Sequence, residues 1–181
     1  MDIFGEDSRK GFTITEIMIA TLIMVMVVGG ALAVYIMSQT AWYEGSTQIA
    51  LQRKASVAME KMVRGIDPYG RNGIREAREV SSPSVGASGA QIDFVDVEPP
   101  NPTRSFYFSS GPDGDPGTVA DNQLRYIDQS GNDTPIIENN VRTLGFSQPS
   151  NGFIEINLSL EDMVRDRVII VDLSTDVKIR N

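Results

Sequence analysis

The sequence predicts an α+β fold, in which a long N-terminal α-helix packs on an antiparallel β-sheet domain. Residues 17–37 form an apolar run without a charge, which predicts a membrane-spanning first half of the helix. An apolar stripe at helical spacing follows and predicts an amphipathic second half. From residue 91 onward, short alternating runs are separated by turn-forming residues, which is typical of antiparallel strands.

The uncharged run is long enough to cross a bilayer. Its 21 residues make roughly 32 Å of helix, close to the hydrocarbon thickness of a membrane. Arg9 and Lys10 precede the run, and the next basic residue after it is Arg53. We therefore expect residues 1–11 to stay in the cytoplasm and the bulk of the chain to be exported.

An ordinary secretory signal peptide is a competing interpretation of this start. Ala31-Leu32-Ala33 offers small residues at a cleavage position after an apolar stretch. Against it, Glu16 would lie inside the apolar region for no purpose, and the helical pattern continues past Val34. A plain uncleaved anchor is a further alternative.

Glu16 stands directly before the apolar run, where a lone ionisable group is expected to be functional. It follows a charged leader that ends in Lys10-Gly11, then the aromatic Phe12 and a small polar stretch. This arrangement resembles the processing site of type IV pilin precursors and of the pseudopilins of type II secretion. The resemblance is strong over residues 9–37 and fades after that.

The resemblance implies a processing step. In this family, a membrane-bound aspartyl peptidase, the prepilin peptidase, cuts after the glycine and methylates the new amino terminus. On this chain the cut falls between Gly11 and Phe12, and Phe12 becomes the N-methylated first residue. The chain is expected to be a substrate of that peptidase and not an enzyme.

Glu16 is expected to form an assembly salt bridge. When helices stack into a filament core, a carboxylate in low dielectric needs a partner, and the amino group of Phe12 in a neighbouring subunit lies at the same depth. The pair would set the axial register. The alternative is that Glu16 is hydrated at the membrane interface and acts only during insertion.

The second half of the predicted helix carries one apolar stripe, formed by Leu51, Ala55, Ala58 and Met62. We expect this stripe to pack on the globular domain, as in pilins, with a short coiled-coil seam as the alternative. The segment 67–70, Asp-Pro-Tyr-Gly, should end the helix because proline cannot continue it. The predicted stem therefore covers residues 12–66, with its transmembrane segment at 12–37.

Gly29 and Gly30 are a candidate hinge within the stem. Each glycine costs a helix about 1 kcal/mol relative to alanine, so the pair is a weak point. Many major pilins have a proline at the twenty-second mature position, where this chain has Ala33. Close packing against a neighbouring membrane helix is an equally good explanation of the pair.

Composition excludes several function classes. The chain has 16 basic and 24 acidic residues, and residues 12–181 carry a net charge of −7. An acidic chain without a basic cluster is not expected to bind nucleic acid. The absence of cysteine and histidine excludes disulfides, thiolate metal sites and the commonest catalytic base.

The rest of the chain is predicted to be a connector, 67–90, and an antiparallel sheet domain, 91–181. The connector has turn formers and small residues, with a short helix predicted at 74–80. Hairpin turns are predicted at 130–133 and 149–152. The candidate strands are 91–97, 104–109, 123–129, 134–138, 141–146, 153–160 and 167–173.

An acidic loop at 111–117 is a weak candidate for calcium. Asp113, Asp115 and the nearby Asp121 offer oxygen ligands, but the spacing does not match an EF-hand and the closing glutamate is absent. A solvated turn is the favoured interpretation, so no cofactor is expected.

Softer similarities suggest a subtype. Tyr43, Gln52, Met59, Arg64 and the 67–70 break are most similar to the W-type minor pilins and J-type pseudopilins. The resemblance implies an inner-membrane protein that later joins a periplasmic or cell-surface filament, with other pilin subunits and an inner-membrane assembly platform as partners. Display of the sheet domain for adhesion or substrate binding is the alternative function.

Overall fold

A computed structural model describes residues 11–66, 73–81, 90–96, 103–150 and 152–179. The chain divides into two compact units, Met1–Tyr43 and Glu44–Asn181. Of the predicted leader, only Gly11 belongs to the described residues, and much of the predicted connector also lies outside them.

The first unit contains the N-terminal part of helix α1, which runs from Ile14 to Arg64. Its large apolar side chains up to Met37 are exposed, as expected for a helix whose natural surroundings are lipid. The helix is long and apolar enough to cross a membrane, which is consistent with a single-pass membrane protein. It continues without a break past Val34, as predicted.

Helix α1 ends at Arg64, slightly before the predicted break. Gly65 takes a positive φ of 109° and its amide donates to the Lys61 carbonyl at 2.8 Å, which is a glycine-based helix end. Gly73 lies against the backbone of Val63 and Arg64, where a Cβ would collide. The predicted terminator at 67–70 lies outside the described residues.

Among the described residues of the second unit, eight antiparallel strands form two sheets. The five-stranded sheet has the order β1-β2-β3-β4-β5 and the three-stranded sheet the order β6-β7-β8. Short 3₁₀ helices occur at Ile74–Glu76 and Val119–Asp121. The strands are β1 (Ala77–Ser81), β2 (Gln91–Asp96), β3 (Thr103–Ser109), β4 (Gln123–Ile127), β5 (Asp133–Ile137), β6 (Val141–Ser150), β7 (Phe153–Val164) and β8 (Arg167–Lys178).

The helix and both sheets share one core. The predicted stripe of Leu51, Ala55, Ala58 and Met62 is buried, together with Met59. Aromatic side chains fill the five-stranded sheet's side of the core: the rings of Phe94 and Phe106 stack 5.5 Å apart, and Tyr126 lies 5.0 Å from Phe106. Since the stripe is buried against the chain's own sheets, it is not a coiled-coil seam.

Three details of the prediction were wrong. The segment expected to be a short helix, 74–80, is helical only at Ile74–Glu76 and then forms β1, because pairing with β2 overrides the helix propensity of its residues. The expected single sheet is two sheets. Strands β6, β7 and β8 are longer than predicted, because β6 pairs with β7 as far as Ser150, and β7 pairs with β8 over its whole length.

Candidate functional site

Glu16 and Thr13 form a reciprocal cap at the start of α1. Glu16 Oε2 accepts hydrogen bonds from the Thr13 amide at 2.9 Å and from the Thr13 hydroxyl at 3.0 Å. In return, the Glu16 amide donates to Thr13 Oγ1 at 3.3 Å. This is a capping box, which satisfies amide groups that the first turn of a helix leaves without partners.

The capping box is a role for Glu16 that the sequence reasoning missed. Its signal is present, because Thr13 and Glu16 have the spacing Thr-x-x-Glu directly before an apolar run. The contacts fix the Glu16 carboxylate beside the amino-terminal end of the helix. These contacts leave the Glu16 carboxylate exposed in its own subunit, so a group from another chain can still reach it.

A concavity of about 320 Å³ lies beside this carboxylate. Apart from Glu16 and Thr21, its lining is apolar, and all of its lining residues are exposed. The lining residues are Phe12, Glu16, Ile17, Ala20, Thr21 and Met24. An amine placed there would face Glu16, and a neighbouring helix that covered this face would strengthen the attraction between the opposite charges.

The predicted cleavage bond is exposed. Gly11 and Phe12 are both on the surface, and a Cβ added at Gly11 would meet nothing within 4 Å. The chain's own described structure therefore does not require a glycine at this position. Any such requirement comes from another molecule that handles this bond.

Gly29 and Gly30 lie in unbroken helix, and a Cβ at either would also meet nothing within 4 Å. Their glycine character is therefore not needed for packing within the described part of the chain. Both explanations of the pair, a hinge and close packing by a neighbouring helix, stay predictions.

The acidic loop is organised by its own backbone. Asp113 Oδ1 accepts from the Asp115 amide at 2.9 Å, and Asp115 Oδ1 accepts from the Gly117 amide at 2.8 Å. Asp121 lies in the second 3₁₀ helix. Among the residues that the structure describes, no three acidic groups gather as metal ligands, and the absence of a calcium requirement stays a prediction.

A polar cluster lies on the five-stranded sheet. Asp133 accepts from Arg125 Nε at 2.9 Å and from the Tyr107 hydroxyl at 2.7 Å. Partial burial acts to raise the pKa of Asp133, but these two donors outweigh it and the net pKa is lowered. Burial raises the pKa of Tyr107, and the neighbouring Asp133 carboxylate raises it further. The cluster ties β3, β4 and β5 together.

A groove of about 760 Å³ runs between α1 and β5. Exposed Ile49 and Val57 lie on its helical side, and Lys54 Nζ donates to Asn139 Oδ1 at 3.0 Å across one end. The groove is lined by Ser46, Ile49, Ala50, Arg53, Lys54, Val57, Ala58, Pro135, Ile136, Ile137, Glu138 and Asn139. No local sequence pattern marks this groove, because its two sides come from segments about 80 residues apart.

Comparisons of the chain with protein-family models, with curated proteins and with solved structures found no match. Function is therefore inferred from the residues and geometry of the chain itself.

Proposed function

We propose that this chain is a minor pilin or pseudopilin, a structural subunit of a type IV pilus or a type II secretion pseudopilus. Prepilin peptidase cuts the precursor between Gly11 and Phe12 and methylates Phe12. The segment 12–37 anchors the subunit in the inner membrane with the sheet unit exported. The assembly platform then transfers it into a filament beside other pilin subunits, and it performs no catalysis.

The proposal is carried by the combination of features on α1. A plain membrane anchor needs only an apolar length, which residues 17–37 supply. This helix also follows a Gly11-Phe12 junction by two residues, holds Glu16 in its first turn and buries a stripe of its second half in the sheet unit. A plain anchor does not need these three features. A helix that leaves the bilayer, stacks on other helices and carries a folded domain does.

A minor subunit fits the sheet unit better than a major one. A major subunit must present surfaces that repeat around the whole filament, whereas a minor one matches only one or two neighbours. The unit has two sheets of unequal size and no disulfide. We propose that it primes assembly near the tip, so that its deletion reduces the number of filaments without changing their diameter. Purified filaments that consist mainly of this protein would instead make it the major pilin.

Cleavage is tested by mass spectrometry of the protein co-expressed with a prepilin peptidase. We expect a mature chain that starts at methylated Phe12. Gly11→Val should block the cut, whereas Gly5→Val, a matched change elsewhere in the leader, should not. A mature chain that starts at Val34, or an intact leader in filaments, would exclude the proposed processing.

The role of Glu16 is tested with variants that separate charge from capping. Glu16→Gln keeps an oxygen that accepts from Thr13 but has no charge, whereas Thr13→Val removes the capping hydroxyl and keeps the charge. We expect all variants to be cleaved, and Glu16→Gln, like Glu16→Ala, to be excluded from filaments while Thr13→Val enters them. If Glu16→Gln assembles like the wild type, the salt bridge is dispensable and Glu16 acts through capping.

A further inference from the structure

The hairpin between β7 and β8 ends in a tight two-residue turn. Arg165 and Asp166 have φ values of 47° and 65°, as a type I′ turn requires of both central residues. Pairing is continuous up to the turn, where Val164 lies opposite Arg167 and Met163 opposite Val168. The end of the hairpin is therefore a defined structure, called here the hairpin tip, residues 162–170.

The hairpin tip has an apolar face outside the core. Met163, Val168 and Ile170 are 65%, 50% and 41% exposed. Val168 and Ile170 alternate with Ile169 along β8, and Met163 lies opposite Val168, so the three side chains share the face of the sheet that points away from the core. A group of exposed apolar side chains at the end of a hairpin favours a contact with another apolar surface.

An ion pair connects the hairpin tip with α1. Arg167 Nη1 lies 2.9 Å from Glu44 Oε1. Glu44 is the first charged residue after Glu16, and Trp42 and Tyr43 precede it directly. Tryptophan and tyrosine are the side chains that prefer the boundary between a membrane and water. Arg167 of the hairpin tip is thus paired with the residue that directly follows these two aromatic side chains.

We propose that the hairpin tip rests in the headgroup region of the bilayer that the same chain spans, with Met163 and Val168 inserted at the boundary of the acyl chains. The inference rests on the membrane-spanning part of the proposed function and on neither cleavage nor assembly. Before assembly, α1 and the hairpin tip then give the sheet unit two points of attachment to the membrane.

The attachment is apolar in origin. The charged residues of the hairpin tip balance, with Asp162 and Asp166 offset by Arg165 and Arg167. Net attraction to anionic headgroups is therefore not the driving force, and burial of the apolar side chains in the interface is. Contact with lipid should persist at about 1 M salt, where the Debye length is only about 3 Å.

The cysteine-free chain permits a direct test by site-specific labelling. Single cysteines replace Val168, Asp176 or Val28 in the full chain, carry a bimane label and are reconstituted in phosphatidylcholine and phosphatidylglycerol vesicles. Asp176 is exposed on the same face of the same strand as Val168, but about 26 Å along it. Val28, in the middle of the apolar run, reports the membrane span itself. Nitroxide quenchers are attached to the lipid headgroup or midway along the acyl chain.

We expect headgroup nitroxide to quench the label at 168 about twofold or more relative to the label at 176, because interfacial groups lie about 5–10 Å into this region. The acyl-chain nitroxide should quench the label at 28. Equal quenching at 168 and 176, with quenching at 28 retained, overturns the attachment and leaves the membrane span intact. A label at 168 that is shielded from aqueous iodide but not quenched by lipid reveals contact with a second copy, which also overturns it. Loss of quenching at 28 removes the span, and the attachment with it.

Discussion

Leu51→Ala should strongly destabilise the unit Glu44–Asn181, because Leu51 joins the helix to the sheets. Its side chain is 2% exposed and belongs to the shared core. Ile49, two residues earlier on the same helix, is 67% exposed. The two positions therefore give a matched pair of substitutions on one helix, one inside the predicted stripe and one outside it.

The expected magnitude follows from what each substitution removes. Leu51→Ala removes three buried carbons, which at about 0.8 kcal/mol each account for about 2.4 kcal/mol of lost burial. The cavity left behind brings the total to about 3–5 kcal/mol. Ile49→Ala removes mostly exposed atoms and gains helix propensity, so we expect a change within about 0.5 kcal/mol.

Thermal unfolding of the full chain in detergent micelles, followed by circular dichroism, measures both variants. For a unit of this size, the Leu51→Ala loss corresponds to a fall in Tm of about 10–15 °C. Ile49→Ala should melt close to the wild type. If the two variants melt at the same temperature, the stripe does not hold the helix on the sheets and the reasoning from burial is refuted.

Three further predictions concern the sheet unit. Gly111→Ala should lower the free energy of unfolding by about 2–4 kcal/mol, because φ is +72° and the new Cβ would lie 2.8 Å from Asp121 Cβ. Gly131→Ala, with φ +81° and open space around it, should cost only the conformational penalty of about 1–2 kcal/mol. Chemical unfolding measures both. Asp133 has a lowered pKa in the folded state, so the stability it contributes is complete above its unfolded pKa of about 3.9 and is lost as pH falls through the folded pKa. The urea midpoints of wild type and Asp133→Asn should therefore converge at low pH. A difference that stays constant with pH would contradict this. Chelation of calcium should leave the Tm of the unit unchanged, and a large fall that added calcium reverses would show that the acidic loop binds the ion.

Local patterns in the sequence were sufficient for the elements whose environment is simple. An uncharged run of membrane length predicts a helix in any context, and Leu51, Ala55, Ala58 and Met62 mark the buried face because helical spacing alone brings them together. In the same way, the alternation of apolar and polar residues in β7 predicts one buried face. Its four apolar side chains, Ile154, Ile156, Leu158 and Leu160, are buried. These features depend on periodicity, which a sequence states directly.

The misassigned strand and the division into two sheets depend on contacts between distant residues. The residues of β1 suit a helix, and only pairing with β2 makes them a strand. The tight turn at Arg165 and Asp166 lacks the glycine that usually marks such a hairpin, so its position is set by the pairing of β7 with β8.

By itself, the sequence determined the membrane-length helix, its buried stripe and the motif at residues 10–16, because each is a local pattern of residue type and spacing. The capping box of Thr13 and Glu16 is also local, since the two residues are three positions apart in one helical turn. Only the tertiary structure decided that Arg167 reaches Glu44. That contact joins residues more than a hundred positions apart, for which no local pattern in a single sequence exists.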